Sequence, residues 1–492
     1  MFKKITRKLN LINLKLLIFT FFTVCSNAQQ FTQYNVSGVL SQPQQIDFDD
    51  IDGDGYTDII VPEYSGNSIS VLYGTGNLSN YTKVTYGSLL VGGSTIKPWA
   101  ALSLDVDGDS DLDIVFSNYA NSTAADGIYW IESTGNRSFG SLQHLYNLDR
   151  CRYIGKVNFD ADPEYELLAL GDSNNTNNVR VLNVAGGTVS TLLQRTANRR
   201  PLHGFFIDID NVGNLSLIYS KFGTGNEADG STVSSNGVHT LNGPSYNFGI
   251  VLISNSPTTS AGTRKTVAGD FDEDGDTDFI AVNAAGNTTS LKYYAVGGGQ
   301  GTILSTTDGS NNMISLTSGD YDNDGVQDLV VIDNALDEVL LFKNTAVDGV
   351  ASSAIAFNTP TTLSSTIIDP NWVESIDIDN DGDLDVVVSF NNGGAAGQGG
   401  VSVFENETTT LTSNDFTLKA NEVKIYPNPT TQLLNVELGN DLENIGLYNL
   451  QGQKVLETVK NTIDISNLSL GVYLIKIKTN KGQVFTKQFI KN

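Results

Sequence analysis

The chain has 492 residues, with 29 Lys and Arg against 55 Asp and Glu, a formal net charge of −26. A negative surplus of that size is repelled by phosphate backbones and argues against a nucleic-acid partner. Two cysteines exclude a disulfide-stapled fold, and the three histidines (His144, His203, His239) show no metal-ligand spacing.

Residues 1–28 read as a removable export signal. Lys3, Lys4, Arg7, Lys8 and Lys15 form a basic start, Leu16 to Val24 an apolar run, and Ser26-Asn27-Ala28 a small-residue cleavage site. The run is too short to span a bilayer comfortably, so no transmembrane segment is expected after its removal. Phe22-Thr23-Val24 is a poor approach to a lipidated Cys25. Cleavage moves the net charge from −26 to −31 and leaves Cys151 alone. Disulfides then cannot stabilise the exported chain, and its acidic loops point to a cation instead.

From residue 29 onward, glycine, aromatic and β-branched residues are common and no long stretch has helical period, which reads as all-β. The pattern Asp-x-Asp-x-Asp-Gly-x-x-Asp, each time followed by a short apolar run, recurs about every 50 to 60 residues. Asp50, Asp52, Asp54 and Asp58 form the first copy, with Tyr56 at position seven. The second has Asp105, Asp107, Asp109, Asp111 and Asp113, with Ser110 in place of the turn glycine. Two weakened copies follow. Asn158, Asp160, Asp162 and Glu166 make the third, with Pro163 at the turn; the fourth keeps Asp208 and Asp210 but has Val212 and Ser216. Three complete copies are Asp270, Asp272, Asp274, Asp276 and Asp278; Asp320, Asp322, Asp324, Val326 and Asp328; and Asp377, Asp379, Asp381, Asp383 and Asp385.

Carboxylates at positions one, three, five and nine fold back around a hard cation. The backbone carbonyl of position seven adds an oxygen, and glycine at position six permits the turn. Oxygen-only ligands in a flexible loop suit Ca²⁺ better than zinc or magnesium. An EF-hand is excluded because position twelve is Val61 rather than Glu and the flanks are β-like; dockerin-type loops also need helices. Five calcium sites are predicted, with the third unit doubtful and the fourth empty.

These residues resemble the FG-GAP/VCBS repeat family of integrin α-subunit propellers and bacterial surface proteins, over roughly residues 31 to 408. The resemblance implies a seven-bladed β-propeller with calcium in the hairpin between the first two strands of each blade. The residues agree. In unit one, strands fit around Gln45–Phe48, Asp58–Pro62, Ser68–Tyr73 and Tyr81–Tyr86, and apolar second strands such as Phe279–Val282 and Leu329–Ile332 suit burial on both faces. The seventh unit lacks a fourth strand, and Phe31–Val36 is its natural donor, closing the ring and removing two sheet edges. The competing fold, a row of separate calcium-binding β modules, leaves that segment without a role.

Residues 409–422 read as a Thr-rich polar linker. The segment 423–492 is mildly basic and carries Ile425-Tyr426-Pro427-Asn428-Pro429-Thr430, Leu434-Asn435-Val436, Leu447-Tyr448-Asn449, Gly452-Gln453-Lys454-Val455 and Gly471-Val472-Tyr473-Leu474-Ile475-Lys476. In that order they resemble the type A C-terminal sorting domain of the Bacteroidetes type IX secretion system. The resemblance implies an address read by the export machinery and a secreted or surface-attached protein, while alternation such as Tyr473, Ile475 and Ile477 against Lys476 and Lys478 predicts a small β-sandwich.

No nucleophile elbow or phosphate-binding glycine loop occurs, and the paired carboxylates belong mostly to the loops. Cys151 lies between Arg150 and Arg152; a small residue at a strand start is the simpler reading. Aligning the units places Trp99, Arg152, Leu202-His203, Arg264-Lys265 and Trp372 at the start of the innermost strands, with Lys97 nearby. In a propeller this end faces away from the calcium hairpins. Two readings compete: a ligand-binding rim of Trp99, Arg152, His203, Arg264, Lys265 and Trp372, stacking sugars and holding uronate or sulfate, or large residues filling the taper between blades. The chain is expected to be a monomeric, non-enzymatic binding or adhesion protein for a glycan or protein ligand. The alternative is a polysaccharide lyase or hydrolase on the same scaffold.

Overall fold

The computed structural model describes residues 31–407 and 423–491 apart from segments 120–125, 161–163, 173–177, 196–199, 210–213, 223–236, 244–246, 252–260, 286–287, 296–301, 307–311, 352–354, 394–396, 429, 439–441, 450–453, 470 and 480–483. The export signal and linker expected from sequence lie outside them. The chain divides into two compact units, residues 1–408 and 409–492. Among the described residues no helix is long and apolar enough to cross a membrane.

The first unit is a β-propeller. Among the described residues between Phe31 and Asn406 lie seven four-stranded antiparallel sheets, each built from consecutive strands except the one that joins the two ends. In the first sheet the strands are Asp47–Asp49, Asp58–Glu63, Ser68–Tyr73 and Thr82–Tyr86. First strands pack against one another around the axis; Pro98–Leu104, for example, touches Cys151–Val157, and Met313–Gly319 touches Pro370–Ile376. The second strands Asp58–Glu63, Glu166–Gly171 and Asp328–Asp333 are buried along their whole length. Their aliphatic side chains pack against both neighbours, and the Ile and Val residues of the first and last of these strands favour the extended conformation. Outermost strands such as Thr82–Tyr86 are mostly exposed.

Phe31–Asn35 pairs with Gly400–Asn406 in the register Phe31 to Asn406 and Asn35 to Ser402. The two chain ends therefore share one sheet, and no long edge is left at the join. Val387, Val401 and Val403 of that sheet pack with Ile59, Val61 and Leu72 of the first, which closes the ring.

Side chains cross the axis and fill it. The Lys265 ammonium, from the fifth sheet, donates to the carbonyl of Val373 at 2.8 Å and to Glu374 Oε1 at 2.7 Å, both in the last sheet. Gln45 Nε2 donates to the Ile154 carbonyl at 2.8 Å. Nearer the hairpins, Lys156 bridges to Asp47 and Asp49 at 3.3 and 2.9 Å.

The second unit packs a three-stranded sheet and a four-stranded sheet around Leu434, Val436, Ile445, Ile463, Ile475 and Phe489. Tyr473, Ile475 and Ile477 are buried and Lys476 and Lys478 exposed, as the alternation requires.

Candidate functional site

Each aspartate loop joins the first and second strands of its sheet. In the first, Asp50 accepts from the backbone N–H of Asp54 at 3.0 Å and of Gly55 at 2.8 Å, which folds the loop around one carboxylate. Gly55 has a φ of 88°; Ser110 holds the equivalent left-handed position at 77°, where a side chain is strained. Among the described residues five clusters bring three carboxylates each within 4.8 Å: Asp50, Asp52, Asp58; Asp105, Asp107, Asp113; Asp270, Asp272, Asp278; Asp320, Asp322, Asp324; and Asp377, Asp379, Asp385. These lie in the five loops singled out from sequence. Tyr56, Asp54, Asp109, Asp111, Asp274, Asp276, Val326, Asp328, Asp381 and Asp383 stand outside the triplets, although Asp328 stays buried at the end of its loop. Asp162, Asp210 and Val212 of the weak copies lie outside the described residues.

The ninth-position carboxylate has a role that spacing alone conceals. Asp58 is fully buried; one oxygen accepts from the Ile51 N–H at 2.9 Å and the other from Gly74 N–H at 2.7 Å. Asp113 repeats this with Val106 and Ser133, and Asp385 with Ile378 and Asn406. Glu166 keeps the first half, accepting from Phe159 N–H at 2.7 Å. The residue thus ties its loop to the end of the third strand, whatever the loop holds. Burial, with the charges of Asp52 and Asp54, pushes Asp58 up to about 7 despite these two donors. Burial raises Asp278, Asp328 and Asp385 likewise to about 7 and Asp113 to about 6.

A hard cation fits this arrangement. Buried oxygens of Asp272, Asp278, Asp322, Asp328 and Asp379 have no hydrogen-bond partner, which a carboxylate tolerates poorly in a dry loop. Three loops also have a neighbour that sequence reading missed. Arg137, from the second sheet, reaches Asp52 at 2.5 Å and Asp54 at 3.3 Å; Lys343 lies 3.0 Å from Asp322; and Tyr293 donates to Asp272 at 2.8 Å. They come from other hairpins, so no local motif announces them.

The opposite end of the first strands holds a cavity of about 250 Å³. Trp99, Arg152, Arg264, Lys265 and Trp372, expected there from unit alignment, all line it, and Arg200 joins them. His203 differs from the expectation. It is buried, packs 5.0 Å from Tyr153 and 6.2 Å from Trp372, and does not line the cavity. Burial, aided by the nearby Lys265 charge, holds it well below the usual histidine range, so it serves as a neutral aromatic filler. Lys265 is committed to the axial contacts described above and is buried. Lys97 instead sits over the Tyr64 ring at 4.8 Å.

The wall beside Trp99 is organised by Asp172, whose side chain is fully buried. Arg152 Nε lies 2.9 Å from it, Arg200 Nε 3.0 Å and Arg150 Nη2 3.8 Å. The Tyr119 hydroxyl donates to Asp172 at 3.0 Å and accepts from Arg152 Nη2 at 2.8 Å. The Arg152 guanidinium stacks 4.7 Å from the Trp99 ring and 4.3 Å from Tyr119. On the far wall the Trp372 indole N–H donates to Glu374 at 2.7 Å. Cys151 is fully buried at the start of its strand and burial pushes its thiol up to about 12, so the adjacent arginines do not activate it.

Residues 50–116, 270–331 and 320–388 match the FG-GAP-like repeat, and residues 424–492 match the secretion system C-terminal sorting domain. The chain carries FG-GAP-like repeats and a secretion sorting tail. It is exported and is secreted or attached to the cell surface, and the tail addresses it to the secretion machinery. Similar solved structures include BBS1N in complex with ARL6DN (10% identical, covering 78% of this chain and 98% of that chain, TM-score 0.48). Hydrazine synthase of Kuenenia stuttgartiensis is 12% identical, with 75% and 97% covered and a TM-score of 0.47. Exotype rhamnogalacturonan lyase YesX is 12% identical, with 76% and 72% covered and a TM-score of 0.43. No curated protein sequence matches the chain.

Proposed function

We propose that this exported propeller is a non-enzymatic binding protein, with calcium in the five loops that hold carboxylate triplets and its ligand site in the cavity on the opposite face. The observation that carries the second half is convergence. Trp99, Arg152, Arg264 and Trp372 come from four different sheets, yet they line one concavity whose exposed chemistry is aromatic and cationic. Such a surface suits a glycan or an acidic protein segment. In the loops the three aspartates of each triplet would hold calcium. The ion would neutralise carboxylates that otherwise repel across less than 4.8 Å.

A polysaccharide-degrading enzyme is the second reading. It rests on Asp126, a carboxyl outside the loops that burial and a hydrogen bond to Asp149 raise above the usual range, beside Arg150. Incubating the mature chain in calcium with a glycan panel, scoring both retention and new reducing or unsaturated ends, separates the two. Binding without new ends is expected, weakened at least tenfold when Trp99 and Trp372 are replaced by Ala. New ends, lost on Asp126→Asn, support the enzyme, and retention unchanged in a folded double variant would overturn the cavity as the site.

A further inference from the structure

The cations at the cavity outnumber the carboxylates that serve them. Asp172 alone is shared by Arg150, Arg152 and Arg200. Glu374 is taken by Lys265 and the Trp372 indole. Arg264 has an Asn312 side-chain oxygen at 3.2 Å, its Nε is buried without a hydrogen-bond partner, and among the described residues no carboxylate lies within salt-bridge distance of it. Arg152, Arg200, Arg264 and Lys265 against Asp172 and Glu374 leave a surplus of positive charge at the cavity in a chain whose net charge is −26, while Arg150 at the edge also has Asp149 and Asp126 nearby. Unmatched guanidinium groups in a half-buried cavity are unfavourable unless an anion completes them.

We propose that the cavity receives one anionic sugar unit of an acidic glycan, its carboxylate or sulfate docking on Arg264 next to Arg152 and its ring face lying against Trp99 or Trp372. This rests on the cavity being the ligand site. Three features select that class. A guanidinium fork matches a planar carboxylate in bidentate fashion and also binds sulfate oxygens. Trp99 carries Arg152 over its ring at 4.7 Å and Trp372 carries Lys265 at 4.4 Å, so the C–H face of a pyranose would meet the indole surface that these cations leave open to the cavity. A volume of about 250 Å³ holds a single ring, and a concavity that small does not fit a folded protein partner. Asp172 acts as a positioning residue: fully buried, it holds Arg152, a residue of the cavity lining, over Trp99. Burial and the like charge of Arg152 draw Arg264 below the usual arginine range, in keeping with a cation that lacks a counter-charge.

The test is calorimetric titration of the mature chain in calcium with three trisaccharides: a galacturonate trimer, a sulfated galactan trimer and neutral cellotriose. The expected result is binding of an anionic trimer at least tenfold tighter than of cellotriose, with affinity falling as salt rises. Whichever anionic trimer binds tighter identifies the group. Arg264→Ala should lose at least tenfold toward the anionic trimer, and Arg264→Lys, which keeps the charge but not the fork, should recover part of it. Near-ultraviolet circular dichroism confirms that each variant is folded. Equal affinity for cellotriose and the anionic trimers, still dependent on Trp99, would overturn the anionic specificity while leaving the cavity as the site. Binding of none of the three would overturn both, and binding of an anionic trimer that is indifferent to Arg264→Ala would overturn the assignment of Arg264.

Discussion

In the first hairpin loop three carboxylates, Asp50, Asp52 and Asp58, crowd within 4.8 Å, with Arg137 as a neighbouring cation. On the cavity face one carboxylate, Asp172, is divided among three arginines, and among the described residues Arg264 has none within salt-bridge distance. The two faces thus depart from charge balance in opposite directions. The difference shows in how each is built. The loops are made by repetition, each from nine consecutive residues, so every copy can serve independently of its neighbours. The cavity is made by convergence, with no more than a residue or two from each sheet, so it exists only when the ring is closed.

On the cavity side a large effect is expected from a single residue. Asp172→Asn keeps the shape but leaves three guanidinium groups without their counter-charge. Breaking a buried pair costs roughly 3–5 kcal/mol. The arginines are a quarter to a half exposed, so solvent screens part of the loss and a cost of about 3 kcal/mol in chemical denaturation is expected. A cost below about 0.5 kcal/mol would show that the wall is not organised by this carboxylate.

On the loop side the expected effect depends on pH. Without ions, Asp58, Asp278, Asp328 and Asp385 have folded values of about 7 against an ordinary 3.8, so the folded state binds more protons between those limits. Stability from these groups is then fully present below about pH 4 and is lost as pH rises through 7. The melting temperature of chelator-treated protein should therefore fall between pH 5 and pH 8. In millimolar calcium the same carboxylates are held ionised, and the decline should flatten or reverse. Parallel curves with and without calcium would mean that the loops take no ion.

Most of the loop face was legible in the sequence because its geometry is local. Aspartates two apart, with a turn residue at position six, can converge without help from elsewhere, and Gly55 adopts the φ that its position demands. Closure was legible too, because a three-stranded last unit and a spare N-terminal strand leave one pairing that removes both edges. What escaped was non-local. Arg137, Lys343 and Tyr293 approach the loops from other hairpins, while Arg200 reaches the cavity, and Asp172 holds its arginines from behind, at strand ends that do not share the alignment register. His203 shares the register of Trp99 and Trp372 but turns into the packing, since the taper near the axis has to be filled and a neutral imidazole fills it. Position in the repeat selected the right end of each strand, while the side of the strand that meets the cavity was set by packing across the axis.

The central claim, that the acidic face is a cation scaffold for the opposite binding face, is tested most directly by equilibrium dialysis of the mature chain against millimolar calcium. The expected result is saturable binding of about one ion for each of the five loop clusters, with dissociation constants of about 10⁻⁴ to 10⁻³ M. Replacing Asp377 and Asp379 by Asn should remove one ion from the count. No saturable binding, or a count unchanged in that variant, would contradict it.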